Sequence, residues 1–500
     1  MRDHLILYVN GTPHRVGDAW AFRLLADWLR YELGLVGTKV VCAEGDCGSC
    51  TVFLGRPVPG APERIEYRTV CSCIQFLCQL DCTHIVTVEG LKYDGELNPI
   101  QSAMVQCQGA QCGFCTPGFI VSMYALFEQQ RRQPSPQDVA AACVGNLCRC
   151  TGYEPIVRAG TSVDAGRMRS LDELYPPAAL GRELQAHANE SVSVRADGKT
   201  FLKPTSVREA VEYRATHPDC TVLAGGTDVG VQVNKCLRDP RDILALSALD
   251  ELRSLKVENG AIAAGALASI AQLESIARDA LPEYAKLLYW FGSPPIKNAG
   301  TVGGNIANGS PIGDSMPAMY VLDAEIELTG TNGSRRVNIN DFYTGYKKTV
   351  ATGDELITRV FIPLPRDGET LKLYKVSRRK DLDISAFTAA IWMKRNGSER
   401  IDDVRIAYGG VGPNVLRLRK TEAYFRGNAL TDETVTEASR IARTEIAPIS
   451  DVRGGADYRS QLGENILRKM YAELAMVNGN GTGNDERDSP RSHGVTEQRN

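Results

Sequence analysis

Cys42-x4-Cys47-x2-Cys50, followed by a further cysteine at Cys71 or Cys73, is the most chemically committed pattern in this chain of 500 residues. Four thiolates at that spacing are the plant-type ligand set of a [2Fe–2S] cluster. Gly45 and Gly48, within VCAEGDCGSC, let the backbone curl around an inorganic core and point amide N–H groups at its sulfurs. Structural zinc also favours four cysteines, but it usually pairs C-x2-C with C-x2-C. The x4 gap with its two glycines fits the cluster better. Spacing does not choose between Cys71 and Cys73, because residues two apart on an extended strand face the same side. A second quartet, Cys112-x2-Cys115 with Cys148-x-Cys150, suits a cluster or zinc on spacing alone. Cys78, Cys82, Cys107, Cys143, Cys220 and Cys236 read as small buried hydrophobes.

Two glycine segments, LAGGTDV at 223–229 and TVGGN at 301–305, allow the close backbone approach that a pyrophosphate needs. Each alone reads equally as a turn. Neither is a G-x-G-x-x-G run, so a Rossmann dinucleotide fold is not supported. SRRK at 377–380 reads as a solvated basic face. The six histidines show neither H-x-x-H nor H-E-x-x-H spacing, and none is assigned a catalytic role.

These residues need scaffolds. LILYV at 5–9, Asn10-Gly11 and residues 12–17 predict a β-hairpin. Residues 20–33 carry apolar side chains at helical spacing, and HIVTVEGL at 84–91 reads as a closing strand. Together they predict a β-grasp ferredoxin module over 1–91. Helices from Pro117 and over 134–145 carry cysteine motifs at their ends, which predicts a small helical bundle over 92–162. Residues 163–195 read as a polar linker. Alternating strands and helices predict an α+β domain over 196–370 and a further α+β subdomain over 371–477. The segment 478–500 has almost no apolar content and is expected to be disordered. The whole is an α+β multidomain protein. A net charge of −3 gives no basic footprint for nucleic acid. No apolar run reaches the roughly 18 residues of a membrane span, and the N-terminal run is too short for a signal peptide. Cytoplasmic residence, where free cysteines serve as ligands rather than disulfides, is the expectation.

VCAEGDCGSCTV, QCGFCTPG and GNLCRCTGY, followed by LAGGTDV and NAGTVGGNIANGSPIGD, resemble the molybdenum hydroxylase family over nearly the whole chain. The likeness is to the iron–sulfur/FAD subunits of bacterial xanthine dehydrogenases. It implies a [2Fe–2S] cluster in the second quartet as well as the first. It implies Cys73 as the fourth ligand of the first cluster, five residues before Cys78 and fifteen before Val88. It implies FAD in a non-Rossmann domain of the vanillyl-alcohol-oxidase type, held by Leu223, Ala224, Gly225, Gly226, Thr227, Asp228 and Val229 and by Thr301, Val302, Gly303, Gly304 and Asn305. Phe291, Asp314, Ile357 and Lys375 match further flavin contacts, and SRRKDLDIS matches a segment that influences access of NAD. The family's molybdopterin domain is absent from these 500 residues. The implied partner is a molybdopterin-binding large subunit, in a heterotetramer of two chains of each, with Gln111 against the pterin. Electrons would pass from that partner through the second cluster, the first cluster and FAD to NAD during purine hydroxylation. An aldehyde or N-heterocycle dehydrogenase would share this architecture. The chain departs from the family at Glu154, where TGYRP is usual and TGYEP stands here. A carboxylate there would disfavour adding an electron to a nearby cluster.

Overall fold

The computed structural model describes residues 1–396 and 400–479. The first hairpin forms as its Asn-Gly turn requires, pairing Leu5–Val9 with Thr12–Val16. These strands join Thr83–Val86, Thr51–Val58 and Ala61–Cys71 in one mixed sheet, in which Leu5–Val9 and Thr83–Val86 run parallel. The run over 20–33 does not form the single helix its periodicity predicts. It breaks into a 3₁₀ turn (Asp18–Phe22), one α turn (Leu25–Asp27) and a π segment (Trp28–Glu32). The cause is tertiary: Leu25 N–H is given to Gln75 O and Leu77 N–H to Arg23 O, so Leu24 is held extended. The expected strand 84–91 likewise stops at Val86, where Asn10 Oδ1 takes the Thr87 N–H, and a 3₁₀ turn follows over Val88–Leu91.

Four helices follow: Pro99–Gln106, Thr116–Gln130, Pro136–Ala142 and Glu154–Ser162. Asn98 and Ser135 close capping boxes at the first and third. The segment 163–195 carries more structure than a polar linker. Leu180 and Leu184 give helix Pro177–Ala188 a buried stripe, and Gly181 lies so close to Pro62 O that a Cβ would stand 1.9 Å from it.

The next domain combines a four-stranded sheet, ordered Val192–Ala196, Lys199–Lys203, Asp242–Ala245 and Thr221–Leu223, with a five-stranded antiparallel sheet over Leu255–Pro363. The last carries strands Glu369–Val376, Phe387–Arg395 and Ile401–Gly409, backed by helices Asp432–Glu445 and Ala456–Gly479. The expected tail from 478 lies outside the described residues, apart from the first two, which belong to that last helix. Among the described residues no helix is long and apolar enough to cross a membrane.

The ferredoxin-like sheet and the four-stranded sheet share one core, in which Phe22 meets Phe201 edge-on at 5.6 Å. Asp81, fully buried, binds Arg2 at 2.7 Å and Lys203 at 2.5 Å across that junction. Removing its carboxylate would leave buried Lys203 without a carboxylate and Arg2 with Glu190 alone, at a cost of about 3–5 kcal/mol. The junction is therefore rigid, and it fixes the first cysteine quartet relative to the glycine segments.

Candidate functional site

The first quartet lies in the loop before strand Thr51–Val58 and in the 3₁₀ turn Ser72–Ile74 that ends the neighbouring strand. Ala43, Gly45 and Gly48 adopt positive φ and wind the loop inward. Glycine is obligatory at 48, where a Cβ would stand 2.1 Å from Gly145 O. Cys42 Sγ accepts the N–H groups of Glu44 at 3.5 Å and Cys47 at 3.4 Å. Thiol hydrogen bonds from Cys47 and Cys73 hold Cys42 well below the usual thiol range. Bonds from Cys71 and Cys73 do the same for Cys50. The partners that donate, Cys47, Cys71 and Cys73, are pushed upward. Cys73 thus touches both depressed thiols. Cys71 touches only Cys50 among these thiols, and its sulfur lies 3.5 Å from Gly45 O. Cys47, Cys50, Cys71 and Cys73 are buried.

The second quartet joins two helix ends. Cys115 caps helix Thr116–Gln130, and Cys148 and Cys150 lie in the loop before helix Glu154–Ser162. Cys112 and Cys150 sulfurs stand 3.5 Å apart, and Cys115 bonds to Cys148. Burial pushes the Cys115 thiol up to about 12. Burial also raises Cys148, but hydrogen bonds led by that of Thr151 (3.1 Å) outweigh it and leave the thiol lowered. Tyr153, at φ 71°, turns its hydroxyl back to accept the Cys148 N–H at 3.1 Å. Cys112, Cys150 and Gln111 are exposed, as are the apolar side chains of Phe114, Leu147 and Tyr153. Glu154 is exposed and its carboxylate is turned along its own helix to Arg158, at 3.0 Å.

The two quartets meet. Leu147 N–H, next to Cys148, donates to Cys47 O at 3.0 Å. Asn146, buried, donates to Gly48 O at 3.1 Å and accepts from Ser122 at 2.7 Å. Gly118 allows the contact, since a Cβ there would stand 2.1 Å from Gly48 O. Among the described residues no three His, Cys, Asp or Glu side chains focus on one point as the ligands of a single ion would. The donor sets, four thiols each with at least one whose pKa is lowered by its neighbours, suit iron–sulfur clusters.

Beyond the first quartet lies a cavity of about 560 Å³. Its walls include Leu223, Ala224, Gly225, Gly226, Thr227, Asp228, Val229, Phe291, Thr301, Gly303, Gly304, Asn305 and Ile357. Thirteen of the sixteen expected flavin contacts therefore converge on one space, of a size that suits a cofactor. The other three lie off the wall. Val302 is in the core, with its N–H on Ala268 O. Asp314 and Lys375 form a buried pair at 2.6 Å, with Ser385 bonded to Asp314. Burial pushes the Asp314 carboxyl upward against the pull of Lys375. Lys375 also donates to Trp290 O at 2.7 Å, next to Phe291, so the pair braces the wall from behind. The cavity also takes in Arg214, Arg238, Lys347 and Ile296, which no motif marked. Ile296 faces both ways: it lines the cavity, and its Cδ1 would stand 2.8 Å from a Cβ at Gly45 in the first quartet. Its place in SPPIKNAGT, just ahead of the second glycine segment, was the available signal.

Family models match three stretches: a [2Fe-2S] binding domain over 87–161, the FAD binding domain in molybdopterin dehydrogenase over 194–365, and a CO dehydrogenase flavoprotein C-terminal domain over 372–474. Xanthine dehydrogenase 1 of Arabidopsis thaliana is 28% identical over 93% of this chain and 39% of its own length. Xanthine dehydrogenase/oxidase of Gallus gallus is 28% identical over 94% of this chain and 40% of its own. The chain thus spans about two fifths of the curated relatives it matches. Among solved structures, carbon monoxide dehydrogenase from Hydrogenophaga pseudoflava superimposes with a TM-score of 0.52 at 28% identity, covering 55% of this chain and 96% of that one. Quinoline 2-oxidoreductase from Pseudomonas putida 86 gives 0.51 at 25% identity, covering 55% and 96%. With both thiol quartets and the glycine-walled cavity present in order, the chain belongs to the molybdenum hydroxylase family, as its iron–sulfur and FAD-binding part.

Proposed function

We propose that this chain is the electron-transfer subunit of a xanthine dehydrogenase, working between a molybdopterin-binding partner and NAD. The observation that carries this reading is the spatial order: exposed quartet, buried quartet, cavity, each in contact with the next. When bound, the clusters pass electrons singly and the flavin gathers them in pairs for a two-electron acceptor. The residues of the chain do the rest. Cys112, Cys115, Cys148 and Cys150 would hold the cluster nearest the surface, and Cys42, Cys47, Cys50 and Cys73 the inner one. The Leu147 N–H on Cys47 O ties the two loops without intervening water. Ile74 and Ile296 seal the inner quartet from the cavity with apolar packing. The glycine segments 223–229 and 301–305 would hold the FAD, with Phe291 and Ile357 on the wall.

The partner reading has its own support. Phe114, Leu147 and Tyr153 stand exposed beside the outer quartet, and a nearby hollow of about 460 Å³ is lined by Leu97, Met104, Val105 and Ile120. Apolar surface of this kind marks an interface, and Gln111, next to Cys112 in sequence, is exposed as well. Xanthine as substrate rests on the curated relatives, which match nearly the whole of this chain. Carbon monoxide dehydrogenase and quinoline 2-oxidoreductase as structural neighbours keep an N-heterocycle or other small substrate as the second reading. The test is reconstitution. The chain alone should reduce dyes with NADH and leave xanthine untouched. With the molybdopterin-binding chain added, xanthine should drive NAD reduction. Oxidation of quinoline-type heterocycles but not xanthine by that complex would select the second reading.

A further inference from the structure

The loop that carries the first glycine segment is held from outside its own domain. Gln79 Nε2 donates to Ala224 O at 2.5 Å, and Gln75 Nε2 donates to Gly225 O at 3.3 Å. Both glutamines come from the ferredoxin-like module, just after Cys73, and both are buried. Gln79 is itself fixed, because its Oε1 accepts the Phe76 N–H at 3.1 Å. Gly226, at φ +73°, sits so close that a Cβ would stand 2.6 Å from Gln79 Oε1. On the other side a Cβ at Gly225 would stand 2.1 Å from Ala299 O. The loop is thus clamped between two domains.

The clamp has a chemical consequence. In a planar trans peptide the C=O and the following N–H point in opposite directions. Pinning the carbonyls of Ala224 and Gly225 to the glutamines therefore turns the N–H groups of Gly225 and Gly226 the other way, and both glycines line the cavity. Among the described residues, no N–H from Gly225 to Asp228 is donated to another group of the chain. Consecutive free amides of this kind make an anion-binding concavity. We infer that Gln79, assisted by Gln75, is a positioning residue that presets the Gly225 and Gly226 amides for the pyrophosphate of FAD, so that flavin affinity depends on the fold of the first iron–sulfur module. This rests on the FAD reading above.

The test uses the full chain. Gln79→Met keeps the volume and removes the donor. The dissociation constant for FAD, read by flavin fluorescence on the deflavo protein, should rise about tenfold, the scale of one lost buried hydrogen bond. Iron and acid-labile sulfide should stay at the wild-type level, and riboflavin, which lacks the pyrophosphate, should bind as it does to wild type. Gln75→Met, with the longer bond, should show the same pattern with a smaller rise. FAD binding unchanged within twofold in both variants would overturn the inference and leave the cofactor reading standing. Equal losses of FAD and riboflavin would overturn it too, because the effect would then be a collapsed cavity. If Gln79→Met loses iron as well, Gln75→Met decides by the same criteria. A wild-type chain that took up no FAD would sink both readings.

Discussion

The two quartets present the same four thiols to opposite environments. In the inner one Cys47, Cys50 and Cys73 are buried, and Cys42 is bonded by two backbone N–H groups. In the outer one Cys112 and Cys150 are exposed and ringed by apolar side chains. Burial and hydrogen bonds to sulfur set cluster potentials, so identical ligands here need not give identical electrochemistry. The difference also divides labour. A site with three of its four thiols buried is suited to relay, while one open to solvent beside apolar surface can meet a partner. The largest expected effect tests the inner site's register. Cys73→Ser should abolish the ferredoxin-type electron paramagnetic resonance signal, and Cys71→Ser should leave it nearly intact, because Cys73 alone bonds to both Cys42 and Cys50. The reverse pattern would make Cys71 the ligand.

The contrast in exposure predicts a contrast in lability. Treating the isolated reconstituted chain with an iron chelator should erase the outer cluster's signal well before the inner one's. Simultaneous loss would mean that the inner loop opens as readily as the outer, and the distinction between relay and docking site would fall. Adding the molybdopterin-binding partner should protect the outer signal selectively if that face is covered.

Local motifs carried most of this, and the limits were tertiary. VCAEGDCGSC and QCGFCTPG with NLCRCTGY marked both quartets because metal ligation fixes spacing along the chain. The hairpin at Asn10-Gly11 was legible because its turn is a local matter. The helix expected over 20–33 failed because backbone partners at Arg23 and Leu25 come from residues 75–77, which no window of periodicity contains. Helix Pro177–Ala188 went unseen in a polar stretch because only two leucines, Leu180 and Leu184, mark its buried face. Asp314 and Lys375 match flavin contacts in the motif, yet they bond to each other behind the wall. Of the two residues that join the inner quartet to the cavity, Ile296 carries only its place ahead of the second glycine segment and Gln79 carries no signature at all. Their roles exist only once two domains are packed.

The two modules should also part company on acidification. His84, in the central strand of the ferredoxin-like sheet, accepts the Gly11 N–H at 3.1 Å and bonds to the Tyr67 hydroxyl at 2.7 Å. Burial lowers its pKa to about 4, against about 6.5 in an unfolded chain. Between those values the unfolded state binds a proton that the folded state refuses. Stability is therefore full above pH 6.5 and falls as the pH drops towards 4, by roughly 3 kcal/mol in all. His84→Gln should flatten that slope in denaturant titrations at several pH values, although it lowers stability at pH 7. An unchanged slope would assign the acid sensitivity to other groups. The inner cluster's signal should be lost on the same acid limb, ahead of the outer one's.

The smallest effect expected is at Glu154, and it concerns the outer quartet alone. A carboxylate where the family resemblance leads one to expect arginine would oppose reduction if it faced the cluster. Its side chain is instead largely exposed, at 70%, and paired with Arg158 on the next turn. Charge in that setting acts through water and salt, where a separation of about 10 Å already spans a Debye length. Glu154→Arg changes the local charge by two, yet the potential of the outer cluster should rise by only on the order of 10 mV at physiological ionic strength. The inner cluster's potential should not move. Part of even the small rise should disappear in high salt, because the interaction is screened. The substitution also loses the bond to Arg158, whose guanidinium holds Cys107 O at 3.1 Å through its other nitrogen. That second anchor should keep the helix start in place. A rise approaching 100 mV in a redox titration, insensitive to salt, would show that residue 154 lies against the cluster in the loaded protein. The outer quartet would then be less open than its exposed cysteines imply, and the contrast between the two sites would shrink.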